Sequence, residues 1–462
     1  MRMPTSAAWM VLAAVLGAGA AAQAGRVISD KAPGFRGIWF ALGQYKSAYG
    51  DKYSGGLGTY TANHVPVAAY SAVARKTFFT YGGEGQSPRR LQIMAAAFDH
   101  RTGLVTRPTI VCDKLGVTDP HDNGSLCLDA RGHVWVFVSG RGRARMGFKY
   151  RSLRPYSVDS FELISTEEMT YPQPWVIPGK GFLHLFTKYT RGRELYFETS
   201  RDGVAWSEDR KLAGMEGHYQ VSARRGNSVV TAFMRHPGGD VDRRTDLYVL
   251  RTRDFGATWH TVSGETLRLP LTDPACAARV RAYSAEGKLV YINDVGFDAR
   301  GNPIVLYVVS GGPEPGPAHG PRMWTVAHWT GREWRIHEVA PCDHNYDMGS
   351  LYVEPGGLWR VIGPTEPGPQ PYGTGGEVAI WATHDQGKTW RKAADVTSGS
   401  ERNQSYVRRP LNAHADFCAF WADGHAFQSS PSSLYFTNRD GDHVWHLPET
   451  MEGETARPER VR

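Results

Sequence analysis

The chain reads as an all-β protein, a seven-bladed β-propeller, on three observations. Helix signals are scarce, and short β-branched and aromatic runs such as Val134–Val138 are broken by Gly, Asp and Asn. A turn motif, Ser/Thr-x-Asp-x-Gly-x-Thr-Trp, recurs at residues 252–259 and 383–390, in shortened form at 200–206, and worn at 330–334 and 438–445. The interval between its tryptophans is mostly about 55 residues, the length of one four-stranded blade with loops. Division of the chain by that interval gives seven or eight blades, and seven is taken.

The motif is the Asp-box, a BNR-type repeat. Its Asp accepts turn amide protons, its Gly takes a backbone conformation other residues resist, and its Trp packs between blades. Carboxylates that recur in every repeat cannot each mark an active site, so they are read as structural. The Pro/Gly stretches at 311–321 and 364–376 read as loops of the propeller rather than linkers.

Met1-Arg2, an apolar run over 7–22 and Ala22-Gln23-Ala24 make a signal peptide of residues 1–24. Residues 25–462 are then one propeller domain, secreted or periplasmic, with no later segment apolar enough to span a membrane. Net charge is +7 among 462 residues without a Lys/Arg run, which argues against nucleic acid and suits an anionic substrate. The five cysteines lack metal-type spacing and leave room for one or two bridges. No cofactor and no metal are expected; Asp343 and His344 beside Cys342 could bind a structural ion but lack regular ligand spacing.

Two polar groups stand at the open ends of hairpins. Folding the chain about Arg131 sets His121 opposite Arg141, and folding about Asn227 sets Tyr219 opposite Arg235. Such a group suits β-elimination from a uronic acid: Arg235 neutralises the carboxylate, and His121 and Tyr219 move protons. The alternative is a polar rim around a sugar-binding cleft. A further segment, 52–64, places three glycines, Tyr53 and Tyr60 before His64, as in a flexible sugar-stacking loop that ends at a base.

Residues 52–64, 217–222, 345–350, 364–372 and 406–425 together resemble glycoside hydrolase family 145. The resemblance implies an exo-acting α-L-rhamnosidase that removes terminal rhamnose α-1,4-linked to glucuronic acid in acidic glycans such as arabinogalactan. It makes His64 the catalytic residue, in a pocket on the propeller face opposite the usual one. Lys52, Tyr60, Arg141, Arg408, Arg409 and His414 are expected to bind substrate. His121, Tyr219 and Arg235 resemble the His, Tyr and Arg of ulvan and rhamnose-glucuronate lyases, with Arg141 standing where those enzymes usually carry a second histidine. A lyase is therefore the alternative, and a non-catalytic glycan-binding propeller the third reading. In each case the partner is an acidic rhamnose- and glucuronate-containing glycan.

Overall fold

The structure, a computed structural model, describes residues 24–44, 48–85 and 90–462. The expected leader, apart from Ala24, lies outside the described residues.

Seven antiparallel sheets follow one another along the chain. Their first strands are Ala68–Ser71, Gly124–Leu128, Thr170–Ile177, His218–Arg225, Leu289–Phe297, Ser350–Val353 and Asn403–Arg408, which open blades one to seven. These strands pack against each other around a common axis. They are apolar along most of their length because both their faces are covered by protein. The chain ends close the ring: Thr455–Ala456 pairs with Leu104–Thr106 of blade one, and Val27–Ile28 pairs with Phe161–Glu167 of blade two.

The Asp-boxes sit at the turns from third to fourth strand. Asp385 accepts from the Thr389 amide (2.9 Å) and from the hydroxyls of Thr389 (2.6 Å) and Thr383 (2.7 Å). Trp206 of blade three packs on Phe137 of blade two, and Trp259 of blade four on Phe197 of blade three. The tryptophans thus seal the seams between blades. None of the five cysteines is disulfide-bonded. No helix among the described residues is long and apolar enough to cross a membrane.

Ahead of blade one, Trp39–Ala41 pairs with Ser54–Gly56, and the chain then threads the axis. Asn123 of blade two donates to the carbonyls of Leu57, Gly58 and Tyr60. Arg408 of blade seven donates to those of Thr59, Thr61, Ala62 and His64, and Asn63 donates to Gln220 of blade four. The glycines here serve close approach rather than mobility. A Cβ on Gly56 would lie 1.6 Å from the Asp423 carbonyl oxygen. The segment read as a flexible loop is instead the plug of the propeller.

Candidate functional site

The ends of the first strands bring a ring of tyrosines to the axis. Tyr171, Tyr219, Tyr291 and Tyr406 come from blades three, four, five and seven, Tyr346 precedes blade six, and Tyr53 and Tyr60 come from the plug. All seven are buried.

His121 enters this ring from a single 3-10 turn, Pro120–Asp122, ahead of blade two. Asp119 caps the turn by accepting the His121 amide (3.0 Å), and its carboxylate also accepts Nδ1–H of the imidazole. Nε2 is thereby left as an acceptor, and it takes hydrogen bonds from Tyr53 (2.9 Å) and Tyr60 (2.8 Å). Burial, against the pull of Asp119, holds His121 down to about 4, so the ring is neutral at pH 7. Burial alone would raise Asp119, but His121 and Arg141 outweigh it and keep this carboxyl well below the usual range. Arg145 (3.0 Å) and Arg141 (3.5 Å) complete its ion pairs.

Three arginines converge on Tyr219. The guanidinium of Arg244 is packed among the rings of Tyr219 (4.7 Å), Tyr291 (4.6 Å) and Tyr346 (5.0 Å), and it donates to the Tyr346 hydroxyl. Arg193 stands 6.0 Å from the Tyr219 ring and 5.4 Å from Tyr189. Among the described residues no carboxylate lies within ion-pair distance of Arg193 or Arg244. Burial would raise the Tyr219 phenol, but Arg193, Arg244 and Arg141 together bring it below its ordinary value. Every other tyrosine of the ring is raised, chiefly by burial. Arg141, Tyr189 and Arg193 are half-buried.

Of the residues expected from sequence, the structure brings His121, Tyr219, Tyr60, Arg141 and Lys52 to this cluster. Lys52 is ion-paired to Asp242, and burial with the nearby charges of Arg244 and Arg193 pulls it down to about 7. The others lie elsewhere. His218, not Tyr219, pairs with Arg235, because the hairpin turns on the two residues Gly226 and Asn227. A shift of one residue puts Tyr219 and Arg235 on opposite faces. Arg235 pairs instead with Glu216 (3.2 Å) and Asp246 (3.7 Å). Arg408 is spent on plug carbonyls, and Arg409 grips Asp294 through two bonds of 3.2 Å. His414 sits beside His100 at the far end of blades one and seven.

His64 is not in a sugar-sized hollow. Its ring has no exposed surface. Nδ1 accepts from the Thr61 amide (3.0 Å), which leaves the proton on Nε2, and Nε2–H donates to the His121 carbonyl (3.1 Å). Burial, with Arg408 and His121 adding, holds it down to about 3. A concavity of about 790 Å³ opens at the other end of the ring, and Val65 and Pro66 line it but His64 does not. Of its charged groups, Arg409 is held by Asp294, Asp298 by Asn302 (2.9 Å) and His328 (3.0 Å), and Glu354 by Arg360 (3.0 Å), while Arg224 and Arg225 donate to backbone carbonyls.

Arg193, Arg244, Tyr189 and Asp119 were not anticipated. Asp119 had a local signal, an Asp two residues before His121 in a turn. Arg193 faces Tyr189 across its hairpin. Nothing near Arg244 in sequence marks it, because Tyr219 lies on an earlier strand of blade four and its other neighbours, Tyr291 and Tyr346, belong with blades five and six.

A family model matches residues 87–341, more than half of the chain. The chain belongs to the BNR repeat-containing family. Among solved structures, this BNR-repeat protein is similar to a PL25 ulvan lyase at 16% identity, with a TM-score of 0.69 over 90% of this chain and 96% of that one. The same figures hold for that ulvan lyase bound to -[GlcA(1-4)Rha3S]-. The polysaccharide lyase Uly1 follows at 11% identity and TM-score 0.59, over 90% and 99% of the two chains. No curated protein matches the BNR-repeat chain. At these identities the likeness establishes the shared propeller.

Proposed function

We propose that this protein is an exported polysaccharide lyase that cleaves a glucuronate-containing polymer by β-elimination, with Tyr219 as the proton carrier. The observation that carries the reading is the convergence on Tyr219 of Arg193 and Arg244, which have no carboxylate partner among the described residues. Glycoside hydrolysis ordinarily uses two carboxylates across the scissile bond. Asp119, committed to His121, Arg141 and Arg145, does not supply such a pair.

In this mechanism Arg193 and Arg244 receive the uronate carboxylate and stabilise the negative charge that spreads onto it when the C5 proton leaves. The Tyr219 phenolate, favoured by the surrounding guanidinium groups, takes that proton. The electron pair from the C5–H bond forms the C4–C5 double bond as the C4–O bond breaks. In a glucuronate the C5 proton and the C4 oxygen share one face of the ring, so the Tyr219 phenol returns the proton to the departing oxygen. His121 is a positioning residue that fixes the hydroxyls of Tyr53 and Tyr60. The lyases of the same fold, one of them bound to a glucuronate-rhamnose oligosaccharide, support this substrate class.

The rhamnosidase reading rests on the family-145 resemblance and needs His64 at a surface, and the burial of that ring removes its support. Incubation with a rhamnose-glucuronate polymer tests the proposal. Near-ultraviolet absorbance of an unsaturated product, lost in Tyr219→Phe, is the expected result. Free rhamnose without absorbance would restore the hydrolase, and tight binding without either product would make the protein a glycan-binding propeller.

A further inference from the structure

A second group of reactive side chains lies where blade one meets blade seven, and elimination does not use it. His100 follows the strand Leu91–Asp99, while His414 and Asp416 lie between Asn403–Arg408 and Ala419–Gly424. One potential ligand atom from each lies within 4.8 Å of the other two. The imidazole centroids are 4.0 Å apart, and the Tyr70 ring packs on both, at 5.2 and 4.9 Å.

The two nitrogens of His100 are unequal. Nε2 is bonded to the Thr77 hydroxyl at 2.8 Å. Nδ1 is buried without a hydrogen-bond partner, in a side chain only 2% exposed. It faces Asp416 Oδ2 at 3.8 Å, beyond hydrogen-bond range, and that oxygen is also 3.5 Å from His414 Nδ1. His414 Nδ1 otherwise accepts only a long bond, 3.2 Å, from the Asp416 amide.

We infer that His100, His414 and Asp416 form a site for a divalent transition cation, zinc by its ligand set, that joins blade one to blade seven. Two imidazoles and a carboxylate are a familiar zinc donor set. Metal–ligand bonds of ~2.0–2.2 Å put neighbouring ligand atoms of a tetrahedral ion ~3.3 Å apart. The separations of 3.5 and 3.8 Å from Asp416 to the two imidazoles need to close by a few tenths of an ångström, and the ligand nitrogens of the two rings lie within 4.8 Å of each other. The shift falls on the more exposed pair, His414 at 32% and Asp416 at 60% side-chain exposure, and buried His100 stays fixed. Thr77 holds the His100 ring from behind, as outer partners of metal-bound histidines do. The fourth position opens to solvent beside Asp416.

The other group of this kind, Glu167, His184 and Glu198, is filled by the Lys149 ammonium at 2.7 Å from both carboxylates. The His100 group has no such built-in cation. It is also remote from the tyrosine ring. Leu91 bonds to Val117 near the His121 turn, and eight strand rises of ~3.3 Å separate Leu91 from Asp99.

The test uses the untagged chain, stripped with a chelator and titrated with Zn²⁺ by calorimetry, with thermal unfolding in parallel. One ion per chain and a higher unfolding temperature with zinc are expected. Co²⁺ in its place should give the visible absorption of a tetrahedral site. Asp416→Asn and His414→Gln, both on partly exposed side chains, should weaken binding tenfold or more and abolish the thermal shift. Asp416→Asn should leave glycan cleavage unchanged. Absence of saturable binding, or binding that survives both substitutions, overturns the inference, whatever the outcome at Tyr219.

Discussion

The guanidinium of Arg244 lies 4.7 Å from the Tyr219 ring although the two side chains come from different strands of blade four. A buried cation beside a phenol stabilises the phenolate, and the same cation attracts a uronate carboxylate. Both effects act on one reaction, so Arg244→Ala should lower turnover of a glucuronate polymer by about 100-fold or more. Arg235→Ala, on the opposite face of its hairpin, should leave it within a few-fold. Steady-state rates of unsaturated product formation compare the two.

Tyr219→Phe removes one oxygen and keeps the ring that packs on Arg244 and Tyr171. The expected loss is about 1000-fold in kcat with little change in unfolding temperature. A loss confined to KM would make Tyr219 a binding group instead.

His64→Ala should act on stability rather than on chemistry. It deletes a fully buried ring, one hydrogen bond within the plug and one that joins the plug to His121 ahead of blade two, at a cost of about 2–4 kcal/mol by denaturant unfolding. His64→Gln, which can keep one donor and one acceptor, should cost less and should leave unsaturated product formation close to that of the unchanged chain.

Acid should unfold the protein through its buried histidines. Burial holds His64 and His344 down to about 3 and His218 to about 4, below the ordinary value of 6.5. Their unfolded forms take up protons first as the pH falls through 6.5, so each contributes stability that is intact above 6.5 and lost towards 3 to 4. Urea midpoints should fall steeply between pH 6.5 and 4.5, at up to about 1.4 kcal/mol per pH unit for each such ring.

The Asp-box carboxylates give a contrast. Asp385→Ala should lower the unfolding temperature by a few degrees, because the turn loses its bonds from Thr383 and Thr389. Turnover of the polymer should not change, since blade six presents this turn away from the tyrosine ring.

Blade number was legible because each Asp-box is a local device, complete within eight residues and repeated at blade intervals. His121 and Arg141 lie beyond the paired strands of blade two, which end at Gly124 opposite Val138, and they meet through Asp119 rather than as a hairpin pair. In blade four a turn one residue off was enough to exchange Arg235 for Met234 opposite Tyr219. The arginines proposed to receive the uronate were hidden for a different reason. Arg193 and Arg244 meet only because two blades lean on one axis, and no spacing along the chain encodes that meeting. The glycines before His64 misled because close approach to Asp423 and mobility leave the same mark in a sequence.

The pairing of Thr455–Ala456 with blade one has a consequence for the order of assembly. Blade one precedes the other six in the chain and keeps a bare edge until Thr455–Ala456 is made, so the circle cannot lock before then. Removal of the final eight residues would leave that edge unmatched in the finished molecule, and it would invite the same strand from a second copy.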